Sequence, residues 1–150
     1  MTEATKGEDK LRIERVFDAP RELVFNAWLE PEQLSKWYGP EHFDAPHDRI
    51  VVEPEPGGRW ELVMIRGDNG DEFPLRSRIV ELAEPELLVI ENEAMPDHGM
   101  GVTRTRVEFH DAGGRTRMVL TDGPYEARMG DMAEQGWVGA FDKLAGVLSG

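Results

Sequence analysis

The chain has 150 residues, near the commonest size of a single domain and long enough to bury one core. Its 30 acidic against 17 basic side chains leave a formal charge of -13, a field that repels phosphate backbones and anionic lipid, so neither nucleic acid nor membrane insertion is expected. With no cysteine, disulfides, thiol nucleophiles, iron–sulfur clusters and thiolate zinc sites are excluded together.

Residues 1–9 are polar and charged, offer nothing to bury, and read as a disordered leader before a single domain over 10–150. No segment has the apolar length of a secretory signal or a bilayer span, so the cytoplasm is the expected location. Leu11, Ile13, Arg15 and Phe17 then alternate with Arg12, Glu14 and Val16, a strand that is only partly two-faced. Asp18-Ala19-Pro20 stops it, and Pro20 suits the first turn of a short helix carrying Leu23, Val24, Ala27 and Trp28. Pro31 opens a second short helix with Leu34 and Trp37 on one side, which Tyr38-Gly39-Pro40 breaks. Six β-rich runs follow, over 49–53, 59–65, 75–82, 87–93, 102–110 and 115–121, separated by Gly, Pro, Asp and Asn clusters that suit hairpin turns. From Tyr125 to Leu148 the helical period returns, with Met129, Met132, Ala133, Trp137, Ala140, Phe141, Leu144 and Leu148 in one apolar stripe.

This order defines an α+β domain: a seven-stranded curved antiparallel sheet, two short helices after the first strand, and a long C-terminal helix over a cavity. One helix laid across a strongly bent sheet leaves space near the sheet's open end. Strand alternation supplies its lining. Trp60, Leu62 and Met64 share one face, as do Thr103, Thr105, Val107 and Phe109 and, on the last strand, Thr116, Met118 and Leu120. Met64, Met118, Met129 and Met132 are expected inside as a deformable lining, and Trp28, Trp37, Trp60 and Trp137 as core or ligand contacts. The glycines of the last helix, Gly130, Gly136, Gly139 and Gly146, each cost about 1 kcal/mol against alanine. They serve either close packing of the helix on the sheet or, at Gly136 and Gly139, room for a ligand.

Phe17-Asp18-Ala19-Pro20, Val24-Phe25, Ala27, Pro31-Glu32, Leu34, Trp37 and Gly39-Pro40, with Gly57-Gly58 and Gly136-Trp137, resemble the START-like (SRPBCC) superfamily in its activator of heat-shock protein 90 ATPase homologue-like branch. The likeness runs from about Leu11 to Leu148 and implies a helix-grip (START-like) fold with a deep cavity. It also implies binding or transformation of lipids, sterols, polyketides or other hydrophobic compounds, with Trp137 looking into the cavity. The ligand-contact set expected on these grounds is Phe25, Trp28, Trp37, Trp60, Met64, Thr105, Met118, Met132, Gly136, Trp137 and Phe141. Glu30 stands where the branch usually has aspartate before the second helix's proline. The co-chaperone that names the branch carries an additional N-terminal domain that this sequence lacks, so an interaction module that stimulates a chaperone ATPase ranks as a third reading, behind ligand binding and catalysis.

His42, His47, His98 and His110 show no metal-ligand spacing, and neither a metal nor a cofactor is expected. No catalytic set stands out. If an enzyme of cyclase, dehydratase or hydrolase type is present, His98, Thr105 or Tyr125 would serve as acid or base. Glu91 and Glu93 alternate with Leu88, Ile90 and Asn92 and should face solvent, within cross-strand reach of Arg104 and Arg106. The expected partner is therefore a small hydrophobic ligand; a homodimer stays open.

Overall fold

The computed structural model describes residues 2–7, 10–96 and 101–149, the first of these segments as backbone only. In chain order it contains β1 (Thr2–Gly7), β2 (Lys10–Phe17), α1 (Arg21–Ala27), α2 (Pro31–Trp37), β3 (Phe43–Asp44), β4 (Val51–Val52), β5 (Arg59–Arg66), β6 (Glu72–Ala83), β7 (Leu87–Asn92), β8 (Thr103–Asp111), β9 (Thr116–Gly123) and α3 (Ala127–Ser149). The strands form one antiparallel sheet in the order β1-β2-β9-β8-β7-β6-β5-β3, with β4 also paired to β5. The helix-grip arrangement is that expected, built from nine described strands instead of seven.

Both additional strands have a physical reason. β1 lies along the edge of β2, Thr2 opposite Arg15 and Gly7 opposite Lys10. The disordered-leader expectation is thus corrected for 2–7, because pairing along an edge satisfies backbone groups and asks no apolar side chain of the added strand. Met1, Glu8 and Asp9 lie outside the described residues. β3 is a two-residue contact of the segment after α2 with the end of β5, Phe43 opposite Arg66. The run expected over 49–53 shrinks to β4 because a 3₁₀ turn over His47–Arg49 occupies its start.

Pro31 starts α2 as its spacing suggests, and both short helices turn their apolar sides inward: Val24, Phe25, Leu34 and Trp37 are buried. The Gly57-Gly58 turn holds β5 against β6, with the Gly57 N–H donating to the Ile79 carbonyl and the Ile79 N–H to that of Gly58. A Cβ on Gly58 would stand 2.1 Å from the Glu53 carbonyl oxygen, so only glycine fits. A register shift between Ile79 and Glu81 bends β6, the longest strand, and curls the sheet.

On the concave side Ile13, Phe17, Trp60, Leu62, Ile79, Leu88, Ile90, Val107, Phe109, Met118 and Leu120 are buried. α3 crosses this side and is pinned at two levels. Arg15, the residue that spoils the two-faced pattern of β2, reaches up to Asp142 at 2.6 Å and lies over the Phe17 ring. Half-buried Lys143 donates to the carbonyls of Pro40 and Phe43, each at 3.3 Å, and desolvation lowers its pKa. On the opposite side of the sheet Arg104 meets Glu91 at 3.0 Å, as strand parity requires.

Candidate functional site

Four neighbouring strands carry polar side chains into the apolar concave face at one level. Ser77 on β6 lies opposite Asn92 on β7, which lies opposite Thr103 on β8; one step along β8, Thr105 lies opposite Asp122 on β9. All five are between 1% and 7% exposed, whereas soluble proteins keep such groups mostly outside. Burial on this scale is tolerated only where every group is hydrogen-bonded.

The bonds form a directed network. Ser77 Oγ donates to Asn92 Oδ1, and Asn92 Nδ2 donates to Thr103 Oγ1 and Thr105 Oγ1, each at 3.0 Å. Thr105 Oγ1 donates in turn to Asp122 Oδ1 at 2.8 Å. Above the sheet, the Tyr125 hydroxyl (2.6 Å) and the Trp137 indole N–H (2.9 Å) both donate to Asp122 Oδ2. An ionised carboxylate only accepts, so Thr105 must donate to it and must accept from Asn92, which fixes the amide's orientation. Asp122 is where the network ends.

Electrostatics at this terminus are opposed. Burial pushes the Asp122 carboxyl up from its ordinary value, against the hydrogen bonds from Tyr125, Trp137, Thr105 and the Gly123 backbone, which pull it down. Burial prevails. The same burial, reinforced by the Asp122 charge, raises the Tyr125 phenol far above its usual range, with the Thr103 hydroxyl acting weakly in the other sense. Tyr38 is raised by burial and then by Asp122.

Around the network stands an aromatic cluster. Tyr38 packs edge-on against Trp60 (5.2 Å) and Trp137 (5.6 Å); Trp28 lies 4.9 Å from Trp37 and 5.7 Å from Trp137; Phe141 is 5.5 Å from Trp137. The indole N–H groups of Trp37 and Trp60 go to the Ala27 and Trp28 carbonyls. The Trp28 N–H is buried without a hydrogen-bond partner.

The expected ligand-contact residues therefore divide. Trp28, Trp37, Trp60, Phe25, Met118 and Phe141 are buried in the core, Phe25 against Phe109 at 5.3 Å. Trp137 and Met64 are half-buried against the core, and Thr105 is a member of the network. Two placements are corrected. Met132 is 59% exposed, because the helical stripe through Ala133, Trp137 and Ala140 leaves it on the outer flank of α3. Gly136 does not face open space or the sheet: a Cβ there would stand 3.2 Å from Pro40 Cγ, and one on Gly139 would stand 3.2 Å from the Glu41 nitrogen. These glycines admit the segment after α2.

Of the acid–base candidates, Tyr125 and Thr105 both touch Asp122, and His98 lies outside the described residues. Asp122 itself was missed because the strand expectation stopped at 121, while β9 runs to Gly123. The signal was present: Thr116, Met118, Leu120 and Asp122 share one parity, so extending the strand by one step turns a carboxylate inward. Among the described residues no group of three or more His, Asp or Glu could hold a metal ion, and no helix is long and apolar enough to cross a membrane. Away from the aromatic cluster, a concavity of about 280 Å³ lies beside α1 and β8, lined by Arg21, Glu86, Arg106, Glu108 and His110 among others. Its charges are paired with one another, His110 and Arg106 both meeting Glu108, whose carboxyl they hold below its ordinary value despite partial burial.

A curled antiparallel sheet gripped by a long C-terminal helix, with two short helices between the outer strands, defines an α+β helix-grip domain of START/SRPBCC type. The chain belongs to the family described as Activator of Hsp90 ATPase homolog 1-like protein, which matches residues 18–149. Its fold is similar to that of a protein from Chromobacterium violaceum, at 20% identity and a TM-score of 0.86 over 95% of this chain and 98% of that one. A Rhodobacter sphaeroides protein matches at 21% identity and TM-score 0.84 over 99% of each chain. A protein from Arthrobacter aurescens matches at 25% identity and TM-score 0.81, over 98% and 91%. No curated protein sequence matches the chain.

Proposed function

We propose that the domain binds a small, largely apolar molecule between the sheet and α3, at the end where Tyr125 and Trp137 meet the polar network. The carrying observation is the network itself: five buried polar side chains across four strands, ending at two half-buried aromatic residues that remain reachable from outside. An all-apolar face would pack this core at lower desolvation cost, and sites for small molecules are apolar hollows with a few placed polar groups. Family membership supports the reading, since this fold often holds hydrophobic ligands. The location proposed with it is the cytoplasm.

The test is displacement of an environment-sensitive dye by a panel of lipids, polyketides and aromatic compounds, with native mass spectrometry for stoichiometry. One-to-one complexes that shift the Trp137 and Tyr125 resonances are expected. A panel that neither displaces dye nor moves those resonances would remove the reading. A second reading, acid–base catalysis on such a ligand, is favoured by the 2.6 Å contact of Tyr125 with a buried carboxyl of raised pKa. Turnover unchanged in both Asp122→Asn and Tyr125→Phe would end that one.

A further inference from the structure

Resting on the binding reading above, we propose that the molecule held at this site is uncharged and presents an oxygen acceptor, the carbonyl of a ketone, ester or lactone on an apolar body, to the Tyr38 hydroxyl and the Trp28 indole N–H. Two buried donors of the aromatic cluster lack acceptors. The Trp28 ring is fully buried and its N–H has no hydrogen-bond partner. Tyr38 is 7% exposed, and among the described residues its hydroxyl forms no hydrogen bond. Nearby acceptors are already engaged: the Ala27 and Trp28 carbonyls take the Trp37 and Trp60 indoles, Asn92 Oδ1 takes Ser77, and Asp122 takes Thr105, Tyr125 and Trp137. A spare lone pair on an oxygen that already accepts costs little, whereas a buried donor without a partner loses its whole hydration energy. The surplus is therefore of hydrogens, and a guest that relieves it must bring lone pairs. An indole N–H can only donate, and the free phenol has a hydrogen to give.

Both donors stand behind the same half-buried residue. The Tyr38 ring lies 5.6 Å and the Trp28 ring 5.7 Å from that of Trp137, so a guest that displaces the Trp137 ring comes up against both. Tyr38 packs on Trp60 at 5.2 Å and Trp28 on Trp37 at 4.9 Å, which makes the walls around the two donors aromatic. Charge of either sign is disfavoured here. The cations beside α3, Arg15 and Lys143, are tied to Asp142 and to the carbonyls of Pro40 and Phe43, and neither is free to neutralise a bound carboxylate. Burial already disfavours the ionised form of Asp122, and an added carboxylate would meet the same penalty. An ammonium group would bring more donors to a place where donors are in surplus.

The test uses the full chain, labelled with nitrogen-15, and three probes of similar outline at pH 7: 2-acetylnaphthalene, 2-isopropenylnaphthalene and 2-naphthoate. The first two differ only in carrying C=O or C=CH₂. The expected result is saturable one-to-one binding with the ketone about tenfold tighter than either the alkene or the carboxylate, the scale of one hydrogen bond to an otherwise unpaired donor. Ketone binding should move the Trp28 indole proton downfield, and alkene binding should not. Tyr38→Phe, which removes the hydroxyl and keeps the ring, should narrow the ketone-to-alkene ratio by about threefold or more and leave the alkene's affinity unchanged. Should that variant not fold, the probe ratio and the Trp28 proton of the parent chain decide alone. Equal binding of ketone and alkene, carboxylate binding as tight as the ketone's, or a ketone preference that moves neither the Trp28 proton nor the Tyr38→Phe ratio would overturn the inference and leave the binding site standing. If none of the three probes binds while other apolar compounds in the dye screen do, the inference also falls. If nothing binds in either experiment, the binding reading falls with it.

Discussion

Asp122 concentrates the chemistry of this protein in one carboxyl group, and its environment sets opposite demands on it. Its folded pKa is raised above 3.8, so the folded state holds this proton more tightly than the unfolded chain does. The stability it confers is fully present below the unfolded value and is lost as pH rises through the raised one. Glu14, held by Arg117 and Arg12, and Glu108, held by His110 and Arg106, are lowered and act the other way: their contributions exist above the ordinary 4.5 and vanish as pH falls through the depressed values. Carboxyl carbon shifts followed by NMR should therefore show Asp122 titrating above 3.8 and Glu14 and Glu108 below 4.5. Asp122→Ala leaves the Thr105, Tyr125 and Trp137 donors facing a void, and chemical denaturation should show a loss of about 2–4 kcal/mol. At the exposed extreme, Met132→Gln should change stability by less than about 0.5 kcal/mol, whereas Met118→Ala, at a fully buried site, should cost about 2–5 kcal/mol.

Within α3, glycine has two different meanings, and melting temperatures can separate them. Gly146 has nothing within 4 Å of a built Cβ, so Gly146→Ala should stabilise by up to about 1 kcal/mol through helix propensity alone. At Gly136 the same gain is opposed by Pro40 at 3.2 Å, and Gly136→Ala should show a smaller rise or a fall. Gly136→Val should destabilise clearly, because the segment after α2 is itself tied to α3 through Lys143 and cannot retreat freely. Gly58→Ala belongs with the severe cases: a Cβ 2.1 Å from a carbonyl oxygen must break the turn that leads into β5 and is hydrogen-bonded to Ile79 of β6.

For the molecule as a whole, the surface charge of -13 is self-repelling, and ordinary salt screens it over about 10 Å. Thermal stability should rise between low salt and about 0.5 M sodium chloride, measured by differential scanning fluorimetry; a flat or falling curve would show that local ion pairs outweigh the net repulsion. Occupancy of the site should act on the same scale. A ligand at a hundred times its dissociation constant adds about 2.7 kcal/mol to the folded state, and Tyr125→Phe should reduce that increment by weakening the ligand, not by unfolding the domain.

Local chemistry is enough to determine the order of elements, the antiparallel sheet and the inward parity of most strands, because alternation and helical spacing are carried by residues adjacent in the chain. It places Trp60, Thr105, Val107 and Met118 on the concave face and Glu91 opposite Arg104 outside, as the structure has them. The family likeness is legible for the same reason, in short runs around Pro20, Pro31 and Gly57. The network could not be read this way. Ser77, Asn92, Thr103, Thr105, Asp122, Tyr125 and Trp137 come from four strands, a connecting turn and a helix, and no spacing along the chain links them. Only strand register brings their hydrogens into one directed set, and only the angle at which α3 crosses the sheet decides that Trp137 meets Asp122 while Met132 faces water.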